Sequence, residues 1–156
     1  MLLRILLCFM AFSSVAFAQN PKVVGWVEKI GIEDVDITLK AKLDSGAKTS
    51  SIDAEVIDIR KEGKRVKGKY TGEVVVFSVK DYAEKSNTFE RKIVRYVRIK
   101  KKNGGYIRRP VIEMAFCIAG RLVKEEVNLA NRENFIYPVL VGRNMMQHAD
   151  LAVDPA

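Results

Sequence analysis

Residues 35–43, Val-Asp-Ile-Thr-Leu-Lys-Ala-Lys-Leu, alternate apolar and polar side chains without a break and then stop at Asp44-Ser45-Gly46-Ala47. A period of two places every second side chain on one face, which predicts a half-buried β-strand ending at the aspartate. A hydroxyl, a glycine and a small side chain directly after it suit a tight loop that holds one carboxylate at the strand end. That loop, Asp44 with Ser45, Gly46, Ala47, Lys48 and Thr49, is the candidate active centre.

The rest of the chain repeats the same kind of signal. Val23–Ile30 reads as a first strand, with a turn at Gly31. Ser50–Ala54 and Val56–Arg60 read as extended, followed by a turn at Glu62-Gly63-Lys64 and a return through Arg65–Tyr70. Gly72–Lys80, with Val74-Val75-Val76-Phe77, is expected in the core, and Asp81–Glu90 has no clear period and is expected to be a loop. A long hairpin is predicted from Ile93–Ile99 to Tyr106–Ile112, turning at Asn103-Gly104-Gly105, where positive φ angles are tolerated. Ile112–Ile118 and Leu122–Leu129 flank a turn at Gly120. Phe135–Val141 is expected as a buried strand with Pro138 at a bulge or edge, Met145–His148 as one helical turn, and Leu151–Pro155 as a last strand. Short strands with turns roughly every ten residues predict an all-β fold, a small closed or partly closed barrel.

Residues 1–18 stand apart from that domain. A basic Arg4, an apolar run over Ile5–Phe12 and Ala16-Phe17-Ala18 match a secretory signal peptide, and the run is short of the roughly 20 residues that span a bilayer. The expected division is a signal over 1–18 and a single barrel domain over 19–156, exported to the bacterial periplasm. Removing the signal removes Cys8 and leaves Cys117 as the one cysteine, so no intrachain disulfide forms. Within Met114-Ala115-Phe116-Cys117-Ile118 that cysteine is expected to be a buried, inert apolar residue.

The chain carries a formal net charge of +8, concentrated in Arg60–Lys69, Arg91–Lys102 and Arg108-Arg109. Export argues against a nucleic-acid partner. Alternation with Val and Ile places these cations on solvent faces and strand edges, where they oppose edge-to-edge association. An anionic envelope polymer is the other partner this charge admits.

Several chemistries lack their residues. With His148 and Cys117 alone, and no His-Glu-x-x-His segment, a zinc hydrolase site is not encoded. A serine triad would rest on His148 alone, and no phosphate-binding Gly-x-x-x-x-Gly-Lys loop is present. Carboxylate chemistry around Asp44 remains: two carboxylates about 3 Å apart share a proton, so one activates water while the other donates to the scissile carbonyl.

At Leu43-Asp44-Ser45-Gly46-Ala47, the hairpin tip Gly104-Gly105 and Val139-Leu140-Val141-Gly142-Arg143-Asn144-Met145-Met146, the chain resembles the retropepsin group of aspartic proteases. Within that group it is similar, from about Val23 to Pro155, to the bacterial family named ATP-dependent zinc proteases, through Gly25-Trp26, Lys48-Thr49-Ser50-Ser51, Arg109-Pro110-Val111, Asn128-Leu129 through Arg132, and Tyr137-Pro138. The name implies zinc and ATP, for which these residues supply no motif, so no metal or cofactor is expected.

The resemblance implies that Asp44 is the catalytic aspartate and that Ser45 hydrogen-bonds across the base of the site. It further implies that Gly46 and Ala47 shape the loop, that Gly104 and Gly105 tip a flap over an extended peptide, and that Gly142 and Arg143 brace the loop from behind. Retropepsins take their second aspartate from a symmetric copy, which implies a homodimer; within the chain, Asp154 is the other candidate acid. The implied function is an exported aspartic peptidase acting on a peptide or protein substrate. The alternative is a non-catalytic module of the same fold that binds a peptide or an anionic envelope polymer.

Overall fold

A computed structural model describes residues 20–33, 35–66, 69–101 and 103–156. The signal expected over residues 1–18 lies outside the described residues. The first strand divides at Trp26 into β1 (Lys22–Gly25) and β2 (Val27–Ile32), and β3 (Ile37–Leu43) follows. In β3 the alternation is realised: Ile37, Leu39, Ala41 and Leu43 are buried, while Thr38, Lys40 and Lys42 face solvent. After the Asp44 loop come β4 (Ser50–Asp53), β5 (Glu55–Val66), β6 (Lys69–Lys80) and β7 (Ser86–Lys92). The remaining strands are β8 (Arg95–Lys100), β9 (Tyr106–Ile118), β10 (Arg121–Ala130), β11 (Val139–Val141) and β12 (Leu151–Asp154), with α1 (Arg143–His148) ahead of the last.

Six strands close into a barrel in the order β10-β4-β11-β3-β2-β9, sealed by β9–β10 pairing, and β8 extends the sheet from β9. Closure removes the free edges of these strands, which accounts for so small a domain forming a stable all-β core. Ile30, Leu39, Ile52, Ile112, Phe116 and Ile118 fill the interior and are buried almost completely. β5, β6 and β7 form a separate three-stranded sheet whose Val75, Phe77, Val79 and Phe89 join the same core. Phe77 stacks on Phe89 with ring centroids 5.4 Å apart. Phe77 and Phe116 are wholly buried, and each such side chain contributes about 1.5–3 kcal/mol.

Several expectations change. No turn occurs at Gly31, which lies within β2 opposite Thr38 of β3 and Cys117 of β9. The piece Asp81–Glu90 is a loop only at its start, because β7 pairs with β6 from Ser86↔Lys80 to Lys92↔Val74. Inward Phe89 supplies the apolar anchor that the polar composition hid. The expected turn at Glu62-Gly63-Lys64 is a bulge inside a longer hairpin: Gly63 has φ +88° and the β5–β6 register shifts between Glu62 and Arg65. Phe135 and Ile136 do not belong to the buried strand; they are 60% and 88% exposed, and only Val139–Val141 pair. Cys117 is exposed, because Phe116 and Ile118 point inward from β9 and a period of two sends the residue between them outward.

The turn at Gly120 is as expected: Ala119 and Gly120 both have positive φ and join β9 to β10 directly, as a two-residue hairpin with right-handed twist requires.

Candidate active site

β3 and β4 flank the Asp44 loop in sequence but do not pair with each other. β11 lies between them, parallel to β3 with Val141 opposite Leu43, and antiparallel to β4 with Val139 opposite Ile52. This insertion fixes the loop from the side: the Asp44 N–H donates to the Val141 carbonyl at 2.9 Å, at the point where β11 ends. On the other flank the Leu43 N–H donates to the Trp26 carbonyl, also at 2.9 Å.

Within the loop the aspartate makes its own turn. Gly46 N–H donates to Asp44 Oδ1 at 2.9 Å and Ala47 N–H to the Asp44 carbonyl at 3.1 Å. A side chain at Gly46 would bring its β-carbon to 3.1 Å from that carboxylate oxygen, so glycine allows the close approach. Asp44 is partly exposed, and its carboxylate is oriented while remaining open to solvent. The Gly46 bond is the one side-chain hydrogen bond of Asp44 among the described residues.

Gly142 and Arg143 both lie against the loop. Arg143 Nη1 donates to the Ser45 carbonyl at 2.6 Å and the Gly46 carbonyl at 3.1 Å. The backbone N–H groups of Arg143 and Asn144, opening α1, donate to the carbonyls of Ala47 at 2.9 Å and Lys48 at 3.2 Å. The loop thus satisfies the first turn of the helix, whose own backbone offers no partners there. Gly142 passes so close to Thr49 that a β-carbon would fall 2.6 Å from the Thr49 carbonyl carbon.

Ser50, singled out in the sequence only as part of the Lys48-Thr49-Ser50-Ser51 segment, is completely buried and central to these contacts. Its Oγ accepts the Gly142 N–H at 3.0 Å and donates to Asn144 Oδ1 at 3.0 Å. Asn144 Nδ2 continues to the Glu126 carbonyl at 3.0 Å, and Asn128 Nδ2 donates to the Ser50 carbonyl at 2.6 Å. The visible signal for this network is a polar residue at an inward position, as in Val127-Asn128-Leu129 and Ser50-Ser51-Ile52; such groups are buried only when hydrogen-bonded.

The other predicted residues are placed as follows. Ser45 is exposed and engages Arg143 through its carbonyl; the hydrogen bond across the base implied for its hydroxyl has no counterpart among the described residues of this single chain. Lys48 is exposed and Thr49 partly so. Gly104 and Gly105 tip the β8–β9 hairpin with φ of +85° and +74°, and no hydrogen bond joins that tip to the Asp44 loop among the described residues. Asp154 Oδ1 accepts the Ala156 N–H at 2.9 Å and does not meet Asp44 through a hydrogen bond. His148, on α1, contacts Glu125, and no group of three or more His, Cys, Asp or Glu that could hold a metal occurs among the described residues.

Residues 23–156 match the RimB-like family, described as retropepsin-like aspartic endopeptidase RimB. The chain is 34% identical to a Legionella pneumophila protein of unknown function whose crystal structure superposes with a TM-score of 0.68, covering 86% of this chain and 93% of that one. It is also similar to two proteins named probable alpha-L-glutamate ligase, from Shewanella pealeana (32% identity over 144 residues) and Shewanella halifaxensis (31%). In each case 89% of this chain is covered, but the chain spans only 30% of the length of those curated relatives. With a barrel that sets an Asp-Ser-Gly-Ala loop against a Gly-Arg-Asn segment and a match over nearly all of the described residues, the chain belongs to the RimB-like family of retropepsin-like aspartic endopeptidases.

Proposed function

We propose that this protein is an aspartic endopeptidase in which Asp44 supplies one of two catalytic carboxylates and a second copy of the chain supplies the other. The observation that carries the reading is the state of Asp44: its loop is braced from several sides, yet the carboxylate hydrogen-bonds only Gly46 N–H among the described residues. Two such loops facing each other across a twofold axis would bring the two Asp44 side chains together. The pair would hold a single proton, since like charges about 3 Å apart do not both ionise readily. The ionised carboxylate takes a proton from water as its oxygen attacks the peptide carbonyl, and the other carboxyl gives its proton to the carbonyl oxygen. Collapse of the tetrahedral intermediate breaks the C–N bond: the amine leaves with the proton held by the pair, and one hydroxyl of the intermediate returns its proton to the other carboxylate, restoring the singly protonated pair.

Peptides rich in carboxylate side chains are the substrate class this reading favours. Its support is the formal net charge of +8 and the likeness to one part of proteins named probable alpha-L-glutamate ligase. Residues 1–18 support export to the bacterial periplasm as the site of action.

The test is hydrolysis of an acidic peptide library by the wild-type protein and by Asp44→Asn. Loss of cleavage in the variant is expected, and unchanged cleavage overturns the assignment. Adding excess Asp44→Asn protein to a fixed amount of wild type should lower the rate, because active homodimers exchange into mixed dimers with one aspartate. A rate that ignores the added variant excludes a shared site.

A further inference from the structure

A cavity of about 700 Å³ lies where β9 and the end of β10 meet the base of the β5–β6 hairpin, and Asp44 is not among the residues that line it. Its walls carry Arg108, Arg109 and Lys80, and also Asp53, Glu55 and Glu133. Most of these charges are already engaged or face water. Lys80 pairs with Glu84 at 3.2 Å, and Arg108 lies over the Tyr96 ring, 4.2 Å from its centroid. Asp53 Oδ1 accepts the Arg132 N–H at 2.6 Å, and Glu55 and Glu133 are exposed.

Arg109 differs. It is half-buried, and its Nη1 reaches only the Asn128 amide oxygen, at 3.4 Å. Among the described residues no carboxylate pairs with it. Burial holds its pKa below the usual arginine value, with no acid acting in the opposite direction. Its neighbour Arg132 cannot share the load: that guanidinium is committed to Ser51 Oγ at 3.0 Å, to the Tyr137 carbonyl at 3.1 Å and to the face of Phe135. The two cations are close enough to matter electrostatically. Burial lowers the Arg132 pKa, Asp53 opposes that, and the Arg109 charge adds to it. A half-buried guanidinium, next to a second cation and with one of its five donors engaged by a long contact, is placed to receive an anion.

We infer that Arg109 is the anchor of a carboxylate-binding subsite in this cavity, separate from Asp44, that holds an acidic group of a bound peptide. That the ligand is a peptide rests on the peptidase reading; that it is anionic rests on Arg109. The acidic group is a glutamyl side chain or a chain-terminal carboxylate, which present the same two oxygens to a guanidinium fork. Asn128 joins Arg109 to the carbonyl of Ser50, whose hydroxyl accepts the Gly142 N–H, so a partly buried hydrogen-bond chain runs from the subsite to the segment behind the Asp44 loop.

The experiment is a fluorescence-anisotropy titration in the Asp44→Asn background, where labelled peptides are not consumed, so that binding is read independently of hydrolysis. Tetraglutamate and tetraglutamine are each used with a free and an amidated C-terminus. Arg109→Gln is expected to weaken binding of the carboxylate-bearing peptides by about tenfold or more, while Arg109→Lys, which keeps the charge and serves as the folding control, retains part of it. Retention by amidated tetraglutamate assigns the site to side chains, and retention by free-acid tetraglutamine assigns it to the chain terminus. Equal affinities of the parent and Arg109→Gln proteins, or no binding of any carboxylate peptide, overturn the subsite. Cleavage unchanged in Asp44→Asn while Arg109→Gln weakens binding overturns the peptidase assignment alone, and cleavage lost in Asp44→Asn while Arg109→Gln binds as the parent does overturns the subsite alone.

Discussion

Gly142 stands directly against the peptide backbone of Thr49: a β-carbon on Gly142 would lie 2.6 Å from the Thr49 carbonyl carbon and 2.7 Å from its oxygen. The φ of Gly142 is −91°, an angle open to any residue, so the need for glycine is steric and comes from a loop nearly a hundred positions away in sequence. Gly142→Ala must therefore push either the Asp44 loop or the start of α1 aside. The expected cost is about 1–3 kcal/mol of stability, as for overpacking, together with a larger proportional loss of the peptidase activity proposed above. Urea denaturation and peptide turnover on the same preparation measure both. An alanine variant with wild-type stability and activity would show that the loop shifts without consequence.

Ser50 joins that glycine to the helix. Removing its hydroxyl in Ser50→Ala leaves the Gly142 N–H without its acceptor and Asn144 Oδ1 without a donor, in a fully buried position. An unsatisfied buried donor costs about 1–3 kcal/mol. Denaturant unfolding should show a lowered midpoint with an unchanged slope.

Arg143 acts on the loop from solvent. Its side chain is exposed, so Arg143→Ala should change stability by no more than about 1 kcal/mol, while its contacts to the Ser45 and Gly46 carbonyls are lost. With Asp44 in the catalytic role proposed above, misplacing it by a fraction of an ångström is costly, and kcat should fall by roughly tenfold or more with KM little altered. Steady-state kinetics checks the split; an unchanged kcat would make these contacts incidental.

Adjacent residues of β9 should behave in opposite ways. Cys117 is exposed and should react with a maleimide in native buffer without prior unfolding. Phe116 is fully buried, and Phe116→Ala should destabilise the barrel by about 3–5 kcal/mol. Mass spectrometry of the labelled native protein and thermal unfolding of the variant give the two readouts.

Much of this arrangement was legible in the chain itself. The alternation over residues 35–43, the Gly120 turn and the Gly104-Gly105 hairpin each carry a local cause, a face to bury or a φ to accommodate. The loop around Asp44 was visible for the same reason, since an Asx turn is written within three residues. Where local cues were weak the reading failed: Ser86–Lys92 forms a strand because β6 offers it a partner, and its own sequence contains little β signal beyond Phe89. Cys117 lies on the face opposite to the one its apolar neighbours suggest, because such a run conceals which of two faces each residue takes until the register of β9 against β2 and β10 is set.

Sequence alone determined that the chain would be a small β-barrel presenting Asp44 on a tight turn, because periodicity and turn chemistry act over a few residues. Tertiary structure decided what holds and surrounds that turn. β11 inserts between β3 and β4, Ser50 bonds to Gly142, and Arg143 reaches the loop carbonyls. The same folding leaves Arg109 half-buried without a carboxylate partner among the described residues. These are contacts between residues far apart in the chain, set by the order in which strands pair, and no local pattern encodes them.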